Sequence, residues 1–372
     1  MVIPRWAWAC SGSCSSRRAL RQSNAGAART YNALSVSDVP PLVTAVLLAP
    51  RTLVELSGSI AHLRRQTLSD RIEVVLVHTP RLDGRPDPLV FEGLHSVRSV
   101  EIASMPTVAA GFVAGVDAAS APIVALIEDH VFLDPAWAEW VVLAHAGPCA
   151  AVAPSMTNAN PATVTSWANF FTAFIDTLAR GPAGETECGP GHNTSYKRDV
   201  LRRYRAELAA LYQSERTFHY RLRRDGLAIV AEPRARLAHT NISLPATALR
   251  HAFFGGVLFG QYRGIRMGRL ERALRTLGAP LVPIVRVVRM ARAVRAHNGA
   301  LGEAPVLTWA AVPMLLVAHA AGEALGYWRI VTDIEERYEL FELHRLQCVR
   351  PDERRLMTGG RATAPPSPVP SA

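Results

Sequence analysis

The chain has 372 residues, of which 49% are hydrophobic and 19% are charged, and its formal net charge at pH 7 is +10. This composition excludes a disordered scaffold, and it is apolar enough that part of the surface should contact something other than water. The length allows one large α/β domain with an appended region, or two modest domains.

The positive charge is concentrated in one segment. Lys197 is the only lysine, and residues 263–295 hold nine arginines against Glu271 alone, which gives a net charge of +8. Charge confined to one amphipathic stretch suits anionic lipid at least as well as nucleic acid. The remainder of the chain is close to neutral.

The sequence carries no convincing export signal. Residues 1–40 are rich in Ser, Ala and Arg without a sustained period, so we expect a disordered leader. The five cysteines lack the short paired spacings of a zinc site or a disulfide framework. We interpret them as reduced thiols in a cytosolic compartment.

Strands and helices alternate from residue 42 onwards. The continuous apolar run 42–49 ends at Pro50 and predicts a strand buried on both faces. A helix over 53–67 and a strand over 72–77 complete a unit that we expect to have a right-handed crossover. The elements predicted next are a strand over 97–102, a helix over 108–119 and a strand over 123–127.

The second half of this pattern is less regular. It consists of a glycine-rich loop over 181–193, helices over 199–211 and 215–224, and a strand over 228–231 that ends before Pro233. Beyond His239 the alternation of strand and helix ceases. We therefore predict four regions: a leader over 1–40, an α/β domain over 41–245, a helical membrane-associated region over 246–350 and a disordered tail over 351–372.

An acidic cluster directly follows the predicted strand 123–127. Glu128, Asp129 and His130 offer carboxylate oxygens and one imidazole at the carboxyl end of that strand, where open α/β sheets bind ligands. Such ligands suit Mg²⁺ or Mn²⁺ held against a pyrophosphate, whose charge the cation neutralises. A solvated turn is the alternative.

Further motif-like segments surround this cluster in chain order. They are 43–50 (VTAVLLAP), 63–67 (LRRQT), 73–77 (EVVLV), 109–115 (AAGFVAG), 127–130 (IEDH), 133–137 (LDPAW), 191–198 (GHNTSYKR) and 214–226 (SERTFHYRLRRDG). Taken together, residues 42–245 resemble the family 2 glycosyltransferases, which have the GT-A fold. The resemblance implies an α/β protein with a mixed, mainly parallel sheet and helices on both faces.

The resemblance also implies an inverting, metal-dependent transfer of sugar from a nucleotide-diphosphate donor to a hydroxyl acceptor. Glu215 falls on the family's catalytic base; an exposed acid at a helix start is the alternative. Asp129 would be the main ligand of the cation, with His130 and His239 beside it. The expected donor-binding residues are Pro50, Glu128, Asp129, His192, Asn193 and Arg221. A structural or surface role is the alternative for His192, Asn193 and Arg221, and a structural role is the alternative for His239.

Three departures from the family pattern concern the donor site and the base. The second strand ends in 77–80 (VHTP), without paired acids near the nucleotide, and 109–115 lacks the usual Arg-Asn. Ser214 replaces an acid beside Glu215. These differences keep a catalytically inactive membrane-associated scaffold as the alternative function.

The C-terminal part predicts contact with a membrane. On a helical wheel, one half carries Arg286, Arg289, Arg292 and Arg295, and the other half carries Val287, Met290, Ala291 and Val294. Residues 304–318 hold no ionisable group but are too short to cross a bilayer, which favours an embedded or re-entrant segment. Ordinary buried helices are the alternative.

These features predict an anionic membrane surface as a partner, at the cytoplasmic face of the cell membrane. The acceptor would be lipid-linked or an envelope glycan. We expect no nucleic acid, because the basic segment lacks interleaved aromatic residues. A nucleotidyltransferase is disfavoured, since Pro50, Arg51 and Thr52 do not form a glycine-rich phosphate loop.

Overall fold

The computed structural model describes residues 29–35, 39–83, 88–175, 183–213, 215–265, 267–296 and 304–359. Its strands form one mixed sheet in the order β1-β4-β3-β2-β5-β9-β7-β10-β6, with β8 beside β10. The strands are β1 (Arg29–Ser35), β2 (Val43–Ala49), β3 (Ile72–His78), β4 (Ser96–Glu101), β5 (Ile123–Leu126), β6 (Val131–Leu133), β7 (Ala151–Asn158), β8 (Gly184–Glu185), β9 (Ser195–Lys197) and β10 (Ile229–His239).

The sheet confirms the predicted mixed, mainly parallel architecture. Strands β4, β3, β2 and β5 pair parallel to one another, and β7 and β10 run in the same direction across the antiparallel β9. The apolar strand β2 lies between β3 and β5. The chain passes from β2 to β3 and β4 on one side of it, and then returns to place β5 on its other side. Such a switch point opens a crevice at the carboxyl ends of β2 and β5.

Several elements differ from their prediction, and one of them is the helix Arg354–Thr358, which lies inside the segment expected to be a disordered tail. Strand β10 continues through Pro233 to His239, because a bulge between Glu232 and Arg236 removes the need for a ladder hydrogen bond at the proline. The helix expected over 199–211 is two short helices. Residues 29–35, inside the segment expected to be disordered, form strand β1 against β4.

Helices cover both faces of the sheet. One apolar core contains residues of the helices over 57–64, 137–145 and 164–174, and the other contains residues of the helices over 108–118 and 198–224. The helices are α1 (Ser57–Arg64), α2 (Val108–Ala118), α3 (Trp137–His145), α4 (Val164–Phe174), α5 (Arg198–Arg203), α6 (Leu208–Tyr212), α7 (Glu215–Arg224), α8 (Pro245–Gly264), α9 (Arg269–Gly278), α10 (Leu281–Ala296), α11 (Thr308–Gly326), α12 (Ile334–Leu343) and α13 (Arg354–Thr358).

Glycines allow the backbones of α8 and α11 to approach each other closely. A Cβ atom on Gly256 would overlap the carbonyl oxygen of His319, and one on Gly326 would overlap the carbonyl oxygen of Val257. Small residues four apart allow this backbone approach, which also occurs between membrane helices. Within the described part of the chain, α11 is the one helix long and apolar enough to cross a bilayer, judged by length and composition alone.

The apolar half of α10 that we assigned to lipid faces the protein. Met290 is buried, and Val287 and Val294 pack against the apolar core. The buried side of α11 also joins this core through Val312 and Leu316. The alternative of packed helices therefore holds for these faces, because α10 packs against α11, and α11 packs against α4 and α8.

Candidate functional site

The acidic cluster lies at the crevice predicted by the strand order. Strand β5 ends at Leu126, and the chain turns through Glu128 and Asp129 into β6. The Ser59 hydroxyl of α1 donates to the carbonyl oxygens of Glu128 and Val131, each at 2.9 Å. Helix α1 thereby fixes the turn that presents the cluster.

Strand pairing brings His130 and His239 together. Val131 of β6 lies opposite His239 of β10, and the backbone nitrogen of Thr240 donates to the carbonyl oxygen of His130 at 2.9 Å. The Nε2 atoms of the two histidines are 3.1 Å apart, and both side chains are buried. Two residues 109 positions apart in sequence therefore form one imidazole pair.

Hydrogen bonds on the far side of each ring fix where its proton lies. The Nδ1 atom of His130 is 2.5 Å from the carboxylate oxygen Oδ1 of Asp129. The Nδ1 atom of His239 is 3.1 Å from Oδ1 of Asn241, whose own nitrogen donates to Asn158 and to the backbone of His239. When Asp129 is ionised it accepts the Nδ1 proton of His130; both Nδ1 atoms then carry a proton, and both Nε2 atoms present lone pairs to each other.

Glu128 completes a group with the geometry of a cation site. Its Oε2 atom lies 3.7 Å from Nε2 of His130 and 3.8 Å from Nε2 of His239. Facing lone pairs at these distances repel one another, whereas a cation about 2.1 Å from each nitrogen would satisfy them. Glu128, His130 and His239 can thus hold a metal ion.

Electrostatics keep this group in its metal-binding protonation state. Burial lowers the pKa of His130 to about 4 and that of His239 to about 3, so both imidazoles are neutral at neutral pH. Burial raises the pKa of Glu128, but its interactions with His130, His192 and His239, among them the hydrogen bond from His192, lower it overall. Neutral imidazoles and an ionised carboxylate are the forms that bind metals.

Asp129 does not belong to this group. Its carboxylate bonds to the far side of the His130 ring, where it holds the imidazole as a ligand-orienting partner. Burial raises the pKa of Asp129 to about 8, which Arg345 opposes and Glu128 reinforces, and the charge of a cation bound at His130 would favour the ionised carboxylate. The structure thus places Glu128 where we expected Asp129 among the cation ligands.

Other expected donor-site residues surround Glu128. Nδ1 of His192 lies 2.9 Å from Oε1 of Glu128, and the amide nitrogen of Asn193 donates to Oε2 at 2.7 Å. Pro50 lines the adjoining cleft. The cleft has a volume of about 310 Å³, open solvent at its mouth included, and its lining is Leu48, Pro50, Val108, Leu126, Glu128, Asp129, Glu342 and Leu343.

The two remaining predicted residues lie on helix α7. Helix α7 begins at Glu215 and packs beside the turn that carries His192, but the Glu215 side chain lies outside the described residues. The structure does not bring Arg221 to the cleft. Its guanidinium bonds to Asp225 at 2.9 Å and to Glu207 at 3.0 Å.

The C-terminal segment supplies residues that sequence reasoning missed. Glu342 and Leu343 of α12 line the cleft, and Arg345 follows them in a buried turn. No strand end or motif signals these residues. Their acidic and basic types in 334–345 are visible, but we assigned that segment to a membrane-associated region.

The fold and this group define an α/β protein with a candidate cation site at the carboxyl edge of its sheet. The chain is similar to the mannosyltransferase PcManGT from Pyrobaculum calidifontis, solved in complex with GDP-Man and Mn²⁺. The identity is 15%, the match covers 77% of this chain and 88% of that one, and the TM-score is 0.43. A likeness this distant carries no conclusion about activity. No protein-family model and no curated protein sequence matches the chain.

Proposed function

We propose that the chain is an inverting, metal-dependent glycosyltransferase that moves a sugar from a nucleotide-diphosphate donor to a hydroxyl acceptor. The observation that supports this most is the group of Glu128, His130 and His239 beside the switch-point crevice. A cation there would neutralise the charge that develops on a diphosphate leaving group. Two imidazole ligands favour Mn²⁺ or another transition metal over Mg²⁺, which prefers oxygen.

In the proposed reaction, Glu215 is the general base. The acceptor oxygen forms a bond to the anomeric carbon from the face opposite the diphosphate, and the bond between that carbon and the diphosphate oxygen breaks. The acceptor proton passes to the Glu215 carboxylate, and the nucleoside diphosphate leaves with the bonding electron pair. The start of α7 beside the turn that carries His192 is compatible with this role.

We expect Glu215→Gln to reduce sugar transfer and donor hydrolysis by about 100-fold or more, because the amide cannot accept the proton. Turnover of UDP-, GDP- and dTDP-sugars with Mn²⁺ measures this. Glu139→Gln, an exposed carboxyl on α3, is the matched control and should retain full activity. If the wild-type chain turned over no donor, the inactive scaffold would be the better account.

We further propose that the enzyme works on an anionic membrane surface at the cytoplasmic face of the cell membrane. An apolar stripe that runs along α9 and α10 supports this. Its members recur at helical spacing, and each is at least 60% exposed: Leu270, Leu274, Leu277, Leu281 and Ile284. The exposed arginines Arg269, Arg289, Arg292 and Arg295 lie on the same two helices.

An apolar stripe among arginines fits the headgroup layer of an anionic bilayer, where the leucines enter the acyl boundary and the guanidinium groups meet phosphates. A lipid-linked acceptor or a growing envelope glycan would be presented at such a surface. Both acceptors are proposed only as part of the membrane proposal.

Leu277→Glu with Leu281→Glu should reduce binding to phosphatidylserine-containing vesicles by at least ~10-fold, because two charged groups would enter the apolar layer. Flotation at moderate salt measures the bound fraction. Leu143→Glu, an equivalent change at an exposed leucine of α3, should float like wild type. Retention of the chain on DNA without flotation would contradict the membrane surface.

A further inference from the structure

Helix α12 forms part of the wall of the cleft. It follows α11 in the chain, contacts α2 and α8, and contributes Glu342 and Leu343 to the cleft wall. The cleft volume of about 310 Å³ includes open solvent, so its enclosed part is far smaller than the roughly 300 to 1,000 Å³ of ligand pockets. A complete nucleotide-sugar would therefore need more room than the cleft offers beside α12.

The first acid that α12 brings to this region is Glu339, which binds the amino end of α2. The backbone nitrogen of Val108 donates to Oε2 of Glu339 at 2.9 Å, and the Glu339 side chain is buried. Thr107 caps the same helix end through a hydrogen bond from Ala110. The amino end of a helix favours anions, and phosphate groups bind there in many α/β proteins. In this chain the Glu339 carboxylate occupies the amino end of α2.

The second acid is Glu342, which approaches the cation-binding residues. A carboxylate oxygen of Glu342 lies within 4.8 Å of ligand atoms of Glu128 and His192. The guanidinium of Arg345 bonds to Glu342 at 2.6 Å. Arg345 is only 3% exposed, and its Nε atom finds no hydrogen-bond partner among the residues that the structure describes. A buried guanidinium with a spare donor is suited to bind an additional oxyanion.

We propose that α12 is an internal occupant of the donor cleft, whose carboxylates at Glu339 and Glu342 stand where the phosphates of a nucleoside diphosphate bind. The proposal rests on the proposed function and adds a regulatory device to it. The diphosphate and its cation displace the two carboxylates, and Arg345 exchanges Glu342 for a phosphate oxygen. The closed arrangement lowers the apparent affinity for the donor by the fraction of molecules that are open.

Glu339→Ala removes the carboxylate at the amino end of α2 and should tighten binding of GDP, UDP or dTDP in the presence of Mn²⁺ by at least ~5-fold. Titration calorimetry on the full chain measures the dissociation constant. Glu339→Gln keeps a hydrogen-bond acceptor of the same shape without the charge, so it should fold like wild type and give a smaller gain. Glu336→Ala, at an exposed acid of the same helix, should bind as wild type does.

A second measurement is independent of the substitutions. Hydrogen exchange of the backbone amides over 334–343 should become faster when the nucleoside diphosphate and Mn²⁺ are added, because α12 leaves the cleft. If wild type binds the diphosphate with the same affinity as Glu339→Ala, or if exchange in α12 slows on binding, the inhibitory role of α12 is overturned while the proposed function stands. If no variant binds any of the three diphosphates, both are overturned.

Discussion

Glu128→Gln is expected to weaken Mn²⁺ binding by on the order of 100-fold or more, and to abolish sugar transfer with it. The substitution removes the negative charge that faces both Nε2 atoms, at 3.7 Å from His130 and 3.8 Å from His239. Two neutral imidazoles without a carboxylate would bind the cation poorly. Titration calorimetry with Mn²⁺ measures the effect in the absence of any donor.

Comparing the Mn²⁺ affinities of variants at Glu128 and Asp129 distinguishes a residue that binds the cation from a residue that orients a cation ligand. Asp129→Asn should cost about 10- to 100-fold in Mn²⁺ affinity, because it weakens the bond that fixes the His130 ring. Glu139→Gln should leave the affinity unchanged. A larger loss for Asp129→Asn than for Glu128→Gln would contradict the ligand set and would return Asp129 to the role that the family resemblance implied.

Gly260→Ala is expected to destabilise the chain by at least ~3 kcal/mol. The new methyl group would overlap the carbonyl oxygen of Glu323 on α11, and that backbone cannot move without separating the two helices. The packing of α8 against α11 supports the segment that leads into α12. Denaturant unfolding followed by far-UV circular dichroism measures the loss.

The matched control for this change is Gly278→Ala. It lies at the end of α9, where the described residues outside the helix's own backbone and its chain neighbours place no atom within 4 Å of the added Cβ. The helix propensity of alanine should therefore leave stability equal or raise it by up to ~1 kcal/mol. Equal stability of the two variants would show that α8 and α11 do not approach each other closely.

The parallel half of the sheet could be predicted because its strands have the sequence pattern of buried parallel strands. Strands β2, β3 and β5 are almost wholly apolar and buried on both faces, which is the pattern of a central parallel strand. The short antiparallel strands could not be predicted. Strand β9 has three residues, and β6 likewise has three, so neither shows a periodicity.

The cluster at 128–130 could be found because a strand end predicts where ligands collect. Which of its side chains lie together could not be predicted residue by residue. Which of Glu128 and Asp129 faces the histidines depends on the turn after β5 and on the pairing of β6 with β10, both of which are long-range features. His239 was singled out from the resemblance, not from its spacing.

The C-terminal helices show where the amphipathic pattern was insufficient. The wheel of α10 identified an apolar half, but neighbouring helices bury it, and the exposed apolar stripe lies elsewhere on α9 and α10. Periodicity indicates that a face is apolar without indicating whether protein or lipid covers it. For the same reason the role of α12, which contributes Glu342 to the cleft wall, could not be predicted.

The most direct test of the central claim is an anomalous difference map from crystals of the full chain grown with Mn²⁺ and a nucleoside diphosphate. We predict one manganese peak between Nε2 of His130, Nε2 of His239 and a carboxylate oxygen of Glu128, with a diphosphate oxygen as a further ligand. A peak elsewhere, with the two histidines still 3.1 Å apart and no metal between them, would contradict the account.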